Sequence, residues 1–242
     1  MVLWSYSDFI LFFATYSFLG WMLETIFASI NERELINRGF LTSFFCPIYG
    51  FGAIMVIKSS GLVNNVFDDY FKSFIINILF SIILVTVLEY FTGFLLEKIF
   101  DCKWWDYSDN VANLHGYICI KYSLLWGFLG FMLVQSAHPL ISKMIYSIPI
   151  SIKDNVAIFF VLYILLDTAK SVIDAMELRK VILNYSKVSL SVYYNKVLKY
   201  KRIFLAFPSL MILNAGIINR DIRSILNDKF DKIKIELRSR FQ

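Results

Sequence analysis

Phe74 to Tyr90 reads FIINILFSIILVTVLEY, and Phe91 to Phe100 continues it as FTGFLLEKIF. Apolar and polar residues do not alternate in this run, so it is not a strand of a membrane barrel, where one face meets lipid and the other a polar lumen. A hydrocarbon core leaves unpaired backbone groups unsatisfied, so an apolar run of this length is helical. About 20 apolar residues cross the core as helix, and Phe74–Glu97 is long enough. The same pattern places further spans near Asp8–Ile30, Phe40–Ile57, Tyr117–Ala137 and Val156–Met176. The whole chain is 58% hydrophobic and 18% aromatic, with a mean hydropathy of +0.61. The expected fold is an all-α membrane protein of about five transmembrane helices, ending in a basic helical tail.

The end of the quoted run repeats an earlier one. GFLLEKIF (Gly93 to Phe100) matches GWMLETIF (Gly20 to Phe27) at Gly, Leu, Glu, Ile and Phe. Downstream, RGFL from Arg38 has a counterpart in HGYI from His115, and Tyr49-Gly50-Phe51 has one in Trp126-Gly127-Phe128. The spacing from Gly39 to Gly50 equals that from Gly116 to Gly127. These correspondences predict a duplicated two-helix unit, with repeat one near 8–57 and repeat two near 74–137. The fifth helix, near 156–176, falls outside the duplication. Each unit holds an even number of spans, so the copies insert the same way up, related by an axis along the membrane normal. Glu24 and Glu97 are then expected to face each other across that axis.

Charge orients the chain. Residues 1–176, the expected transmembrane domain, carry 10 Lys/Arg against 14 Asp/Glu, and residues 177–242 carry 14 against 5. The interhelical loops are too evenly charged to decide topology, but the basic tail keeps its end cytoplasmic. Five spans then put the N-terminus outside and both repeat glutamates near the cytoplasmic leaflet of the cell membrane. The first span lacks a basic n-region and a small-residue cleavage site, so it reads as a retained helix. The apolar stretch 203–218 contains Pro208, Asn214 and Gly216, which favours an interfacial or docking segment over a sixth span. The linker from Asp101 to Gly116 holds Trp104, Trp105 and Tyr107, rings suited to the headgroup level.

Ionisable residues inside spans are the candidate pathway. Glu24 and Glu97 lie near helix C-termini, where the dipole disfavours a carboxylate. Compensating partners are therefore expected, and Arg38, His115 and Lys121 are the nearby choices. Glu89 shares a helix face with Gly93 and Glu97, with Thr86 one turn before. Asp167, Lys170 and Asp174 form a second stripe at i, i+3, i+7, in which Lys170 is expected to neutralise its neighbours. Pro47, Gly50 and Gly52 mark an expected break or kink in the second span. A site that handles a cation or proton competes here with simple snorkelling anchors.

Other chemistries have less behind them. Cys46, Cys102 and Cys119 are too scattered for a disulfide framework or zinc site, and read as packing residues. Asp106, Asp109 and His115 match no defined metal-ligand spacing, so no metal or other cofactor is expected. No catalytic constellation of nucleophile and base stands out, and an enzyme ranks last. The basic tail suits anionic lipid rather than nucleic acid.

FLGWMLETIF, NRGFL followed by CPIYGFG, and EYFTGFLLEKIF followed by WWDYS and HGYICIKYSLLWG resemble the ABC-transporter type IV (CmpB-like) membrane proteins of Gram-positive bacteria. The likeness covers most of residues 16–130 and implies a multi-pass, permease-like transporter subunit. No GxxxxGK[ST] phosphate loop occurs in these 242 residues, so any nucleotide would be bound by a separate cytosolic ATPase subunit. Five spans are few for an enclosed pathway, which calls for a homodimer or larger assembly in the lipid bilayer. The alternative is a non-transporting scaffold or regulator that docks a cytosolic partner through its tail.

Overall fold

A computed structural model describes residues 4–183, 199–207 and 210–212. The described chain is mostly helical. Helix α1 (Tyr6–Glu32) leads to α2 (Pro47–Val66) and α3 (Tyr70–Phe100). A two-residue strand β1 (Cys102–Lys103) opens the loop to α4 (Ile120–Met132), which runs through a π turn (Leu133–Ala137) into α5 (His138–Tyr146). Helix α6 (Ile150–Leu183), the short α7 (Lys201–Ala206) and β2 (Met211–Ile212) follow.

Local sequence explains the helix ends. Ser5 and Asp8 cap α1 reciprocally, the Ser5 hydroxyl accepting from the Asp8 amide and the Asp8 carboxylate from the Ser5 amide, which satisfies donors a helix start leaves open. Asp69 accepts from the amides of Phe71 and Lys72 to start α3. Arg33 closes α1 at φ 54° and Asp101 closes α3 at φ 49°, both in the left-handed region that ends helices. The two corresponding helices therefore stop in the same way.

Four helical stretches are long and apolar enough to cross a membrane: Tyr6–Glu32, Tyr70–Phe100, Ile120–Tyr146 and Ile150–Lys180. Helix α2, which overlaps the expected second span at 40–57, is not among these four. Residues 40–46 are irregular, and α2 begins only at Pro47, in its first turn. Proline is accommodated there because the first-turn amide has no helical partner to lose. Gly50 and Gly52 lie buried within an unbroken helix, so the expected break at Pro47, Gly50 and Gly52 does not occur.

Helix α1 packs on α2 and α6, α2 on α3, and α3 on α4. Leu11, Phe12, Tyr16, Ala53, Ile57 and Ile145 form the core toward the N-terminal end of α1. The outer faces of α3 and α6 expose Leu79, Ile83, Val87, Phe91, Ile158, Leu162 and Leu166. In water such a surface would drive association; against lipid tails it is the ordinary exterior of a membrane bundle.

The opposite end of the bundle has its own core. Phe100, Cys102, Trp104, Ala175, Leu178, Tyr200, Ile203, Phe204 and Leu210 pack together there. β1 pairs antiparallel with β2, Cys102 opposite Ile212 and Lys103 opposite Met211. Arg202 donates to the carbonyls of Gly39, Phe40 and Leu41 at 2.9, 3.3 and 3.1 Å. The described part of the apolar stretch 203–218 thus lies against the bundle end, and residues 213–218 fall outside the described residues. So does the charged segment at the end of the basic tail.

The loop aromatics differ from expectation. Trp104 is buried between Phe40, Phe100 and Phe207, Trp105 donates to the Tyr117 carbonyl at 2.9 Å, and Tyr107 turns toward α3. No helix forms between Asp101 and Gly116. The tail and the neighbouring loop supply an apolar core that local composition does not reveal, and Trp104 packs inside it, while Trp105 and Tyr107 are half-buried.

Candidate functional site

The last turns of α1 and α3, the loops that follow them, and the first turns of α2 and α4 meet at the tail-covered end. Glu24 is the anchor on α1. Its Oε2 lies 3.3 Å from Arg38 Nε, and its Oε1 accepts from the Tyr49 hydroxyl at 2.5 Å. Gly20 makes this approach feasible: a Cβ there would stand 2.2 Å from Tyr49 Cγ, so only hydrogen leaves room for the ring. The loop is tied down on both flanks. Trp21 donates to Asn37 at 2.7 Å, the Arg38 amide to Thr25 Oγ1 at 3.3 Å, and the Cys46 amide to the Ser17 carbonyl at 2.9 Å. Arg38 is the expected partner of Glu24, and the pair forms.

Glu97 occupies the corresponding place on α3 but has different company. Tyr117 lies beside it and hydrogen-bonds to it, and its buried Oε2 has no partner. Burial, with Glu97 next in effect, pushes the Tyr117 phenol up to about 12. His115 does not supply the expected latch. Its Nδ1 meets the Tyr90 hydroxyl at 3.2 Å, its carbonyl accepts from Lys103 at 3.1 Å, and its backbone has φ 54°. Lys121 is exposed, stands over the Tyr122 ring, and forms no ion pair with either glutamate among the described residues. Among the described residues no hydrogen bond or ion pair joins Glu24 to Glu97.

Glu89, also on α3, lies within electrostatic reach of Glu24. Glu89 is 6% exposed and sits in the middle of the face that α3 turns to the bundle. Tyr107 reaches in from the loop to donate to Oε1 at 3.2 Å. The Trp126 indole N–H on α4 also donates to the carboxylate. Glu89 Oε2 is buried with no partner. Burial first, and the Glu89 carboxylate second, push the Tyr107 phenol well above the ordinary tyrosine range, so it remains a donor at neutral pH. Tyr107 stacks on Tyr122 with centroids 4.6 Å apart, and Tyr49 meets Trp126 edge-on at 5.6 Å. Two carboxylates from α1 and α3 thus share an aromatic, hydroxyl-bearing enclosure drawn from both loops and both following helices.

The α6 stripe has another task. Asp167 accepts from the Ser43 amide at 3.1 Å and also from the Ser43 hydroxyl, while Ser171 accepts from the Thr42 amide at 2.9 Å. These contacts dock the irregular residues before α2. Lys170 is exposed and forms no ion pair with Asp167 or Asp174 among the described residues. The expected neutralisation within the stripe is therefore replaced by bonds to a neighbouring loop. Asp174 acts on Arg202, and so supports the strap across the bundle end.

Tyr49, Tyr107 and Trp126 line the candidate site and Arg202 braces its loop, and none was a candidate from the sequence. Tyr49 and Trp126 carried a signal, since both precede the glycine of a repeated aromatic–Gly–Phe triplet. Arg202 carried none, because one arginine among many in a basic tail is not distinguished by pattern. At the far end, buried Lys153 pairs with Asp8 at 2.7 Å and Tyr16 meets His138 Nδ1 at 2.7 Å; neither pair was foreseen. Cys46, Cys102 and Cys119 are all buried thiols.

This chain belongs to the family described as "Putative ABC-transporter type IV", whose profile matches residues 11–172. The matched region includes Glu24, Arg38, Tyr49, Glu89, Tyr107 and Trp126, and leaves α7 and β2 outside. No curated protein and no solved structure matches the chain. It is thus a multi-pass membrane protein of a transporter-type family.

Proposed function

We propose that this chain is the permease-like membrane subunit of a transporter, handling a cation or proton at the Glu24–Glu89 pair. The observation that carries this reading is Glu89, buried at 6% exposure with one oxygen unpartnered and with Glu24 within electrostatic reach. An unpaired charge near the bilayer centre costs about 2.5–3.5 kcal/mol on insertion scales. Such a residue persists where it faces a protein-lined route and something arrives to neutralise it. Arg38 cannot do so while it is held by Glu24. Energy from nucleotide hydrolysis would enter through a separate ATPase subunit, and a second copy of the chain would complete the enclosure.

The same reading takes α2 as a fifth span and the two hairpins, α1–α2 and α3–α4, as products of one duplication. The matching left-handed helix ends and the repeated Gly-x-x-x-Glu face support the duplication. The fifth crossing is supported by the contacts that β2 and Arg202 make with both connecting loops. Helices α1 and α3 end at those loops, so α2 runs back between them. With the basic tail inside, the N-terminus lies outside.

The test is flux of protons and small cations into vesicles that hold the purified chain, with its ATPase if one co-purifies. Glu89→Gln is expected to abolish movement, and Glu24→Gln to reduce it strongly. Flux indifferent to both, together with tail-dependent capture of a cytosolic protein, favours the scaffold reading. Robust labelling of a cysteine placed in the tail from outside intact cells would overturn the orientation.

A further inference from the structure

We infer that Glu89 is a proton-binding site, a carboxyl that is neutral in one working state and charged in another. The inference deepens the proposed pathway by naming the ion, and its test does not depend on transport. It rests on an orphaned stripe along α3. Thr86 Oγ1, Glu89 Oε2 and Glu97 Oε2 are all buried without hydrogen-bond partners. They lie at i, i+3 and i+11, on one face of the helix. Buried polar atoms are nearly always paired in folded proteins, and three orphans on one face point to a species that comes and goes there.

A proton fits this place better than a metal ion. Among the described residues no cluster of three His, Cys, Asp or Glu side chains is placed to hold a metal. Each facing group has also been assigned. From α1 comes Glu24, already bound to Arg38 and Tyr49. From α2 comes Tyr49, whose hydroxyl is spent on Glu24. The loop supplies Tyr107, donating to Oε1, and α4 supplies Trp126 and the Tyr122 ring that backs Tyr107. None of these places a positive charge on Oε2. Loading adds one proton to Oε2, which turns an unpaired acceptor into a donor. Thr86 Oγ1, one turn away, is an acceptor without a partner. Release restores the carboxylate, held by Tyr107 and Trp126.

The experiment is pH-difference infrared spectroscopy of the full chain reconstituted in lipid bilayers. A carbonyl-stretch band of a carboxylic acid is expected to titrate reversibly, to shift in heavy water and to vanish in Glu89→Gln. The same band is expected to survive Glu97→Gln. In Tyr107→Phe the charged form loses a donor, so the band should persist to more alkaline pH by about one unit, a tenfold change in proton affinity. If Glu89→Gln fails to accumulate in the membrane, Tyr107→Phe and Trp126→Phe decide the matter, because both side chains touch the carboxyl and must move the band. A band unaltered by all three substitutions overturns the inference. So does a band that responds to sodium or potassium at fixed pH, which would assign the site to a metal cation. A titrating Glu89 in a chain that moves no solute would uphold the proton site while removing the transport reading.

Discussion

The two hairpins carry the same octapeptide pattern, yet their glutamates end differently. Glu24 is held on both oxygens, by Arg38 and Tyr49, whereas Glu97 has only Tyr117 beside it and one oxygen bare. Trp126, the counterpart of Tyr49, serves Glu89 instead, two helical turns from the repeated position. The reason lies outside the octapeptide. The second loop is longer by four residues, places a histidine where the first has arginine, and holds that histidine in a left-handed backbone. Tyr117 and Trp105 fill the space over Gly93 that Tyr49 fills over Gly20. A repeated motif therefore fixes where a carboxylate stands, and the loop that returns over it fixes what the carboxylate meets.

The most severe test of this contrast exchanges the matched glycines. Gly20→Ala puts a methyl 2.2 Å from Tyr49 Cγ, so the ring and its bond to Glu24 must give way, at about 3 kcal/mol for overpacking. Gly93→Ala meets Tyr117 at 3.1 Å, a small displacement offset by about 1 kcal/mol of helix propensity. Thermal unfolding in detergent should show a large fall for the first and little change for the second. Equal falls would mean that the hairpins pack alike.

Cutting the strap should separate the loops next. Arg202→Ala leaves the Gly39, Phe40 and Leu41 carbonyls without their charged donor, a loss of about 2 kcal/mol. Limited proteolysis is expected to quicken in residues 33–46 more than in residues 104–119. The reverse order would place the strap's main grip on the second loop.

A smaller difference is expected between the glutamates. The Glu24–Arg38 side chains are 23% and 32% exposed, so solvent screening limits the cost of Glu24→Gln to about 1 kcal/mol. Glu97→Gln breaks no ion pair and should lie within about 0.5 kcal/mol of the parent. Denaturation midpoints measured side by side would reveal a hidden partner of Glu97 if the two matched.

The mildest effect is chemical. Burial, with Glu24 next in effect, pushes the Cys46 thiol up to about 12. Only the thiolate reacts, so maleimide labelling at neutral pH should be slow and should rise only as pH climbs toward that value. In Arg202→Ala the loop opens and the burial penalty falls, and because burial outweighs the favourable charge of Arg202 on the thiolate, labelling should accelerate at the same pH. Cys102, also raised to about 12 by burial, serves as the comparison in the second loop.

Much of the architecture was legible in the chain itself. Apolar runs longer than the hydrocarbon core announce helices, since hydropathy and length are properties of consecutive residues. Glu24 with Arg38 was legible too, because a carboxylate at a helix C-terminus asks for a nearby cation. The start of α2 was not: residues 40–46, five of the seven apolar, stay irregular where Asp167 and Ser171, far along the chain, bind the Ser43 and Thr42 amides. Nor was the burial of Trp104, whose apolar surroundings come largely from a tail some hundred residues away.

Sequence alone determined that this protein lives in a membrane as a helical bundle, and which faces of its helices carry charge. Those are consequences of composition and of a fixed 3.6-residue period. Only the tertiary structure decided that Glu89 is buried within electrostatic reach of Glu24, and that Tyr49, Tyr107 and Trp126 close around the two. Hydrogen bonds between side chains depend on how far one helix slides along another, and that offset is set by packing and loop length, which no local pattern records.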